Sequence, residues 1–281
     1  MILSDGIKIF SNYIDLLGSP DIDAVYIPLP NSMHFDWTKK ALESNKHAIV
    51  EKPLVSTERQ ALELIKIARE KDLVLMETFQ FRFHRQISFI KEILLKKRLG
   101  VLKKIDIKFG IPKLDKNDIR YKKNLLGGAY YDLGVYGLRI IKELFNDVPS
   151  DLNGRLFFQN EHEVDIGGNM KFYVNKSVPV DFDFGFDNEY QCSLEIWGSK
   201  GVLRNERIFT APNDLQINTP VKLNNKLKDN FFADDQIMNL FDCFAELIRN
   251  RNKQLIENEY SYILDQACMV ESTIEKLVKN D

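Results

Sequence analysis

Ala24-Val25-Tyr26-Ile27-Pro28-Leu29-Pro30-Asn31-Ser32-Met33-His34 passes directly from an apolar run into a turn rich in proline and asparagine. Continuous rather than alternating apolarity predicts a strand buried on both faces, and Pro with Asn ends it. The pattern recurs at His47-Ala48-Ile49-Val50, followed by Glu51-Lys52-Pro53, and at Val74-Leu75-Met76, followed by Phe79-Gln80-Phe81-Arg82-Phe83-His84-Arg85. Between these runs lie two helical stretches. One spans about His34 to Asn45. The other starts at Thr57, whose hydroxyl and Gln60 fit a capping box, and carries Ala61, Leu64, Ile65 and Ala68 on one face. Alternation of strand and helix at this spacing predicts a βαβαβ unit with right-handed crossovers. Ligands of such units bind beyond the carboxyl ends of the strands, where all three polar clusters fall. Each cluster taken singly is also what turn chemistry would produce.

The totals narrow the class. With 281 residues, 44% hydrophobic and 28% charged, the chain has room for two domains and the composition of a globular protein. A net charge of −2 gives no electrostatic case for nucleic acid, and Lys96-Lys97-Arg98 and Lys122-Lys123 read as solvated surface. Cys192, Cys243 and Cys268 are scattered without metal-ligand spacing, which predicts packing roles in a reducing, cytoplasmic compartment and no metal site. No apolar run approaches the roughly 20 residues of a membrane span, and Met1–Gly6 lacks a cationic start or apolar core.

A dinucleotide fold normally opens with a strand, a Gly-x-Gly-x-x-Gly turn and a helix. The sequence holds no such turn. Residues 1–20 read instead as the tail of a preceding unit, Ile7-Lys8-Ile9-Phe10 and then a short helix through Tyr13, Leu16 and Leu17. The expectation is a chain that enters the domain part-way, without the first βαβ unit.

From Lys103 onward the period changes. Ile105, Ile107 and Phe109 alternate with polar residues, as do Met170, Phe172 and Val174, then Val180, Phe182, Phe184 and Phe186, then Cys192, Leu194 and Ile196. Period-two runs predict a mostly antiparallel open sheet with one buried face, with a hairpin turn at Gly198-Ser199-Lys200-Gly201. A helix carrying Tyr130, Leu133, Leu138, Ile141 and Leu144 precedes most of it, and helices over about Asp234–Arg249 and Glu259–Lys279 close the chain. The fold class read from this pattern is α/β plus α+β. A truncated Rossmann-like parallel sheet (residues 1–80) is followed by a substrate-binding and dimerisation domain (81–281).

Asp23 to His34, Glu51-Lys52-Pro53, Phe81-Arg82-Phe83-His84 and Gly127-Gly128-Ala129-Tyr130-Tyr131-Asp132-Leu133-Gly134-Val135-Tyr136 occur in that order. Together they resemble the Gfo/Idh/MocA oxidoreductases, and within them the branch of nucleotide-sugar 3-ketoreductases, glucose–fructose oxidoreductase and dihydrodiol dehydrogenase. The resemblance implies NAD or NADP as cofactor, a sugar or nucleotide-sugar substrate, and a dimer formed sheet on sheet. It also implies that Lys52 is the catalytic lysine, with Asp132 and Tyr136 completing the constellation. A phenol donates a proton more readily when a cation lowers its pKa, and Lys52 is the expected cation. Tyr13, Leu29, Asn31 and His34 are then placed near the ribose and nicotinamide, with Arg120 and Asp132 reaching the cofactor from the second domain. Glu51 either pairs with Lys52 or orients the cofactor amide. Gly127 and Gly128 either let backbone approach a ligand or form only a junction, and Arg82 and His84 anchor the domain junction. Two other functions stay open: a dehydrogenase of free sugars or diols, and a catalytically inactive relative acting as an interaction partner, to which the missing glycine-rich turn points.

Overall fold

Three strands, β1 (Ala24–Ile27), β2 (His47–Glu51) and β3 (Leu75–Thr78), pair in parallel in that order. They belong to a computed structural model that describes residues 7–278; Met1–Gly6 and the predicted helix end at Lys279 lie outside the described residues. The short helix α1 (Tyr13–Gly18) stands ahead of β1, capped by the Asn12 side chain, while residues 7–10 form no regular element. Helix α2 (Asn31–Glu43) begins three residues before the predicted start, directly on the loop after β1. Helix α3 (Glu58–Glu70) starts as its sequence demands, with Thr57 Oγ1 accepting from Gln60 N. The reciprocal half of the capping box is displaced by one residue, Gln60 Oε1 accepting at 3.4 Å from Ser56 N.

After β3 come α4 (Arg85–Leu95), β4 (Leu102–Gly110) and α5 (Val135–Phe145), then β5 (Ser150–Phe158), β6 (Asp165–Val174), β7 (Val178–Gly185), β8 (Gln191–Gly198) and β9 (Gly201–Asn205). Short strands β10 (Ile217–Asn218), β11 (Val221–Leu223), β12 (Lys226–Lys228) and β13 (Phe231–Phe232) lead to α6 (Gln236–Asn250) and α7 (Lys253–Val278). The large sheet runs β12-β11-β9-β8-β4-β7-β6-β5. Each period-two run proves to be a strand, and Ser199-Lys200 link β8 to β9 as a hairpin. One pair is parallel, β4 with β7, because the chain leaves β4 and passes through α5, β5 and β6 before returning. Alternation reports only which face is buried, so it leaves strand direction open. Strand β5 escapes the period-two reading because its pairing with β6 shifts register between Ser150 and Asn153, and Phe157 and Phe158 are exposed.

Two hydrophobic cores result. One lies between the large sheet and helices α4 and α5, with Leu138, Ile140 and Ile141 fully enclosed. Each such side chain contributes about 1.5–3 kcal/mol relative to exposure. The other joins the parallel sheet and α3 to Leu240, Phe244 and Leu247 of α6 and Ile256, Tyr260 and Ile263 of α7. Helix α7 packs on α3 and β3 at one end and on α5 and β5 at the other. A boundary at residue 80 therefore separates the sheets, whereas the carboxy-terminal helices return to complete the first core.

Candidate active site

The loops that follow β1 and β2 form one wall of a cleft of about 230 Å³, and residues 119–132 form the other. Lys52 crosses it. Its Nζ donates to Asp132 Oδ1 at 2.7 Å and to the Asp132 carbonyl oxygen at 2.6 Å. The second carboxylate oxygen accepts from Arg120 Nε at 2.8 Å, and Arg120 also pairs with Asp118. Asp132 is thus held between two cations. Burial pushes its pKa up, but Lys52 and Arg120 outweigh that and keep it below the ordinary carboxylate value.

Asp132 sits in a π-helical turn, Tyr130–Gly134, that feeds α5. The wider turn departs from the continuous α-helix expected from sequence, yet Lys52 still meets both predicted partners, its Nζ lying 5.1 Å from the centre of the Tyr136 ring. The turn is anchored by Asp165, whose Oδ2 accepts from Tyr130 N at 2.7 Å. The two glycines ahead of it serve packing within the protein. A β-carbon on Gly127 would lie 2.3 Å from Arg120 O, and one on Gly128, at φ +109°, 2.3 Å from Asp165 Oδ1.

Tyr136 is buried among Phe79, Phe109 and Phe209, its ring centre 5.2–5.3 Å from theirs, and Phe81 stands at 6.0 Å. Its phenol is pushed well above the ordinary tyrosine value, first by burial and then by the negative charges of Glu51 and Asp132. This reverses the expectation that Lys52 lowers it. Desolvation penalises a phenolate, and the neighbouring anions add to that penalty.

Leu29, Asn31, Glu51 and Arg120 line the same cleft as Lys52 and Asp132. Asn31 Nδ2 reaches across to Leu126 O at 2.9 Å, tying the walls together. Glu51 turns to neither lysine nor cleft partner; it accepts from the Tyr26 hydroxyl at 2.5 Å. Tyr13 stands apart, edge-on to Trp37 at 4.8 Å beside an apolar hollow along β1. His34 is fully enclosed, with Nδ1 2.8 Å from Pro53 O and Nε2 2.6 Å from Leu29 O, so both ring nitrogens are taken up by backbone rather than turned to the cleft. Arg82 joins the two halves of the molecule through Glu259 of α7 and Glu143 of α5. His84 caps α4, accepting from Gln86 N. Sequence reading passed over Glu77 and Asp165. Glu77 had a visible signal, a carboxylate continuing a wholly apolar run; Asp165 had none, since its partner lies 35 residues away.

Known proteins resemble this chain in sequence and in fold. Residues 3–79 match the oxidoreductase family with NAD-binding Rossmann fold, and residues 87–204 match the GFO/IDH/MocA C-terminal domain. A dTDP-3,4-didehydro-2,6-dideoxy-alpha-D-glucose 3-reductase of Saccharopolyspora spinosa is 34% identical over 238 residues, 84% of this chain and 72% of that protein. The chain belongs to the Gfo/Idh/MocA oxidoreductase family. Its fold superposes on a 3-ketoreductase from Actinomadura kijaniata, solved with NADP and TDP-benzene, with a TM-score of 0.87 and 30% identity over 95% of this chain and 82% of that one. A trans-1,2-dihydrobenzene-1,2-diol dehydrogenase of Xenopus tropicalis is 31% identical over 75% of this chain and 64% of that protein. The Gfo/Idh/MocA cofactor is a dinucleotide. The cleft offers such a group donors in the ammonium of Lys52 and the guanidinium of Arg120 and an acceptor in the carboxylate of Glu51, beyond the carboxyl ends of β1 and β2.

Proposed function

We propose that this protein is an NAD(P)-dependent reductase of a keto group, at C3, on a nucleotide-linked sugar. The observation that carries the reading is the Lys52 ammonium, held by Asp132 at the mouth of the cleft beside the Tyr136 ring. The 3-ketoreductases among its relatives, one of them solved with NADP and a TDP ligand, favour that substrate class. A nicotinamide held in the cleft would supply the hydride to the keto carbon, leaving an alkoxide to be protonated. Lys52 supplies the proton from Nζ to the developing alkoxide, and before that its positive charge stabilises the oxygen. Asp132 and Arg120 fix where that ammonium points. Tyr136, kept as a neutral phenol by burial, is the second donor toward the same oxygen. Leu29, Asn31, Glu51 and Arg120 border the nicotinamide nucleoside.

The test is turnover of a dTDP-3-keto sugar with NADPH. Lys52→Met and Tyr136→Phe should each lower kcat by about 10²-fold or more, the usual worth of a positioned acid, while NADPH still quenches or enhances fluorescence as in the wild type. Normal rates in both variants would sink the reading. The dihydrodiol dehydrogenase likeness supports a second substrate class, free sugars or diols; there, dTDP would give no thermal protection where the nucleotide-sugar reading requires it. An inactive relative would neither bind NADPH nor turn over.

The outer face of the large sheet bears on assembly. Lys104, Asp106, Asp181, Glu195 and Arg204 put both signs of charge on it, and Tyr173 and Trp197 are exposed. A two-fold interface sets one face against itself, and a face of mixed charge avoids the repulsion that a single sign would bring, which supports a second copy of this chain as its partner.

A further inference from the structure

The peptide unit between Pro53 and Leu54 is gripped from both sides. Its carbonyl oxygen lies 2.8 Å from His34 Nδ1, and its N–H donates to Glu77 Oε1 at 2.8 Å. Both gripping side chains are buried, His34 at 0% exposure and Glu77 at 4%. They come from different elements, His34 from the first turn of α2 and Glu77 from the middle of β3. His34 also meets Leu29 O, so one ring ties the loop after β1 to the loop after β2. A carbonyl can only accept, and burial holds the His34 pKa below the ordinary imidazole value, so the neutral ring donates its single proton to one of these two carbonyls at a time. Lys52 precedes this peptide unit by a single residue. Its ammonium reaches Asp132 only if the backbone here keeps its orientation, since the Asp132 contacts are 2.6 and 2.7 Å long and come from the opposite wall. Neither His34 nor Glu77 borders the cleft itself.

We propose that His34 and Glu77 are positioning residues for Lys52, fixing the Pro53–Leu54 peptide and through it the direction of the lysine side chain. The functional side of this inference rests on the reading of Lys52 as proton donor; the positional side does not. Glu77 is held in turn by position rather than by a direct ion pair. Arg139 is the cation whose charge acts on it most strongly, followed by Arg82, with Glu259 opposing them. Rotating this peptide would swing Lys52 away from Asp132 and free its ammonium.

The experiment reads Lys52 directly. Reductive methylation of the full chain with formaldehyde and cyanoborohydride, followed by peptide mass spectrometry, gives the rate at each lysine. Lys142, paired with Asp265 at 2.9 Å and in hydrogen-bond contact with neither His34, Glu77 nor the Pro53–Leu54 peptide, is the internal control. In His34→Leu and Glu77→Leu the rate at Lys52 should rise about tenfold, the expected effect of losing one buried hydrogen bond, with Lys142 unchanged. Glu77→Gln keeps an acceptor for Leu54 N and should stay within about twofold of wild type. A rate at Lys52 that is unchanged in the leucine variants, or that rises in parallel with Lys142, overturns the proposal. Hydrogen exchange at the Leu54 amide of the wild-type protein keeps the test open should a leucine variant not fold: slow exchange is expected, and exchange at the rate of a solvent-exposed amide refutes the clamp. If Lys52 is released in the variants while kcat is unaltered, the clamp stands and the proton-donor reading fails. If both change, kcat should fall with the KM for NADPH nearly constant.

Discussion

Arg82→Met removes the guanidinium that joins the two halves of the molecule. Its Nη1 and Nη2 donate to Glu259 at 3.0 and 2.8 Å and its Nε to Glu143 at 3.2 Å, and the three side chains are 6–10% exposed. Taking one partner from a buried ion pair costs about 3–5 kcal/mol, because the remaining charge stays desolvated. The loss falls unequally on the two carboxylates. Glu143 keeps Lys91 and has Arg139 Nη2 at 3.9 Å, whereas Glu259 loses its two-pronged partner. The expected cost is therefore at the lower end, about 3 kcal/mol. In urea, followed by circular dichroism and tryptophan fluorescence, the midpoint should fall by about 1 M or more on ordinary m-values. The double variant Arg82→Met, Glu259→Leu removes both charges and should regain more than half of the loss. A single-variant loss below about 1 kcal/mol, or a double variant as unstable as the sum of the two singles, would refute the claim that an uncompensated buried carboxylate is the cause.

Asp165 gives a pH signature. Burial pushes its carboxyl up to about 6, against the lowering effect of the Tyr130 N–H bond. The folded state therefore holds this proton more tightly than the unfolded chain. The stability this group adds is full below the unfolded value of 3.8 and is lost as pH rises through 6. Relative to Asp165→Asn, the wild type should lose on the order of 3 kcal/mol between about pH 4 and pH 7; a difference that stays flat with pH would contradict it. On the open sheet face, Trp197→Glu should halve the mass measured by light scattering if two copies meet there. A wild type that already runs at the mass of one chain would remove that assembly.

The residues that make the cleft were visible before any coordinate. Continuous apolar runs ending in Pro28-Leu29-Pro30-Asn31 and Glu51-Lys52-Pro53 mark parallel strands with their polar ends on one rim. Strands β2 and β3 are buried as expected, whereas β1, paired on one side only among the described strands, buries Ile27 and exposes Tyr26. Period two located β4, β6, β7 and β8 of the second sheet for the matching reason, one face buried and one wet. Neither pattern carries information across the chain. That β4 lies parallel to β7, that α6 and α7 return to complete the first core, and that Asp132 stands between Lys52 and Arg120 all depend on partners many residues apart. The sign of the tyrosine effect was decided the same way. The family resemblance paired the lysine with the phenol, but only packing among Phe79, Phe81, Phe109 and Phe209 set the desolvation that raises its pKa. His34 moved furthest from its expected place, from the ribose to a backbone peptide, since a ring's neighbours are chosen by the elements that converge on it. The sequence by itself determined the strands, their rim and the residue types available there. Tertiary structure decided which charges meet and which are cut off from water, because both are properties of long-range packing.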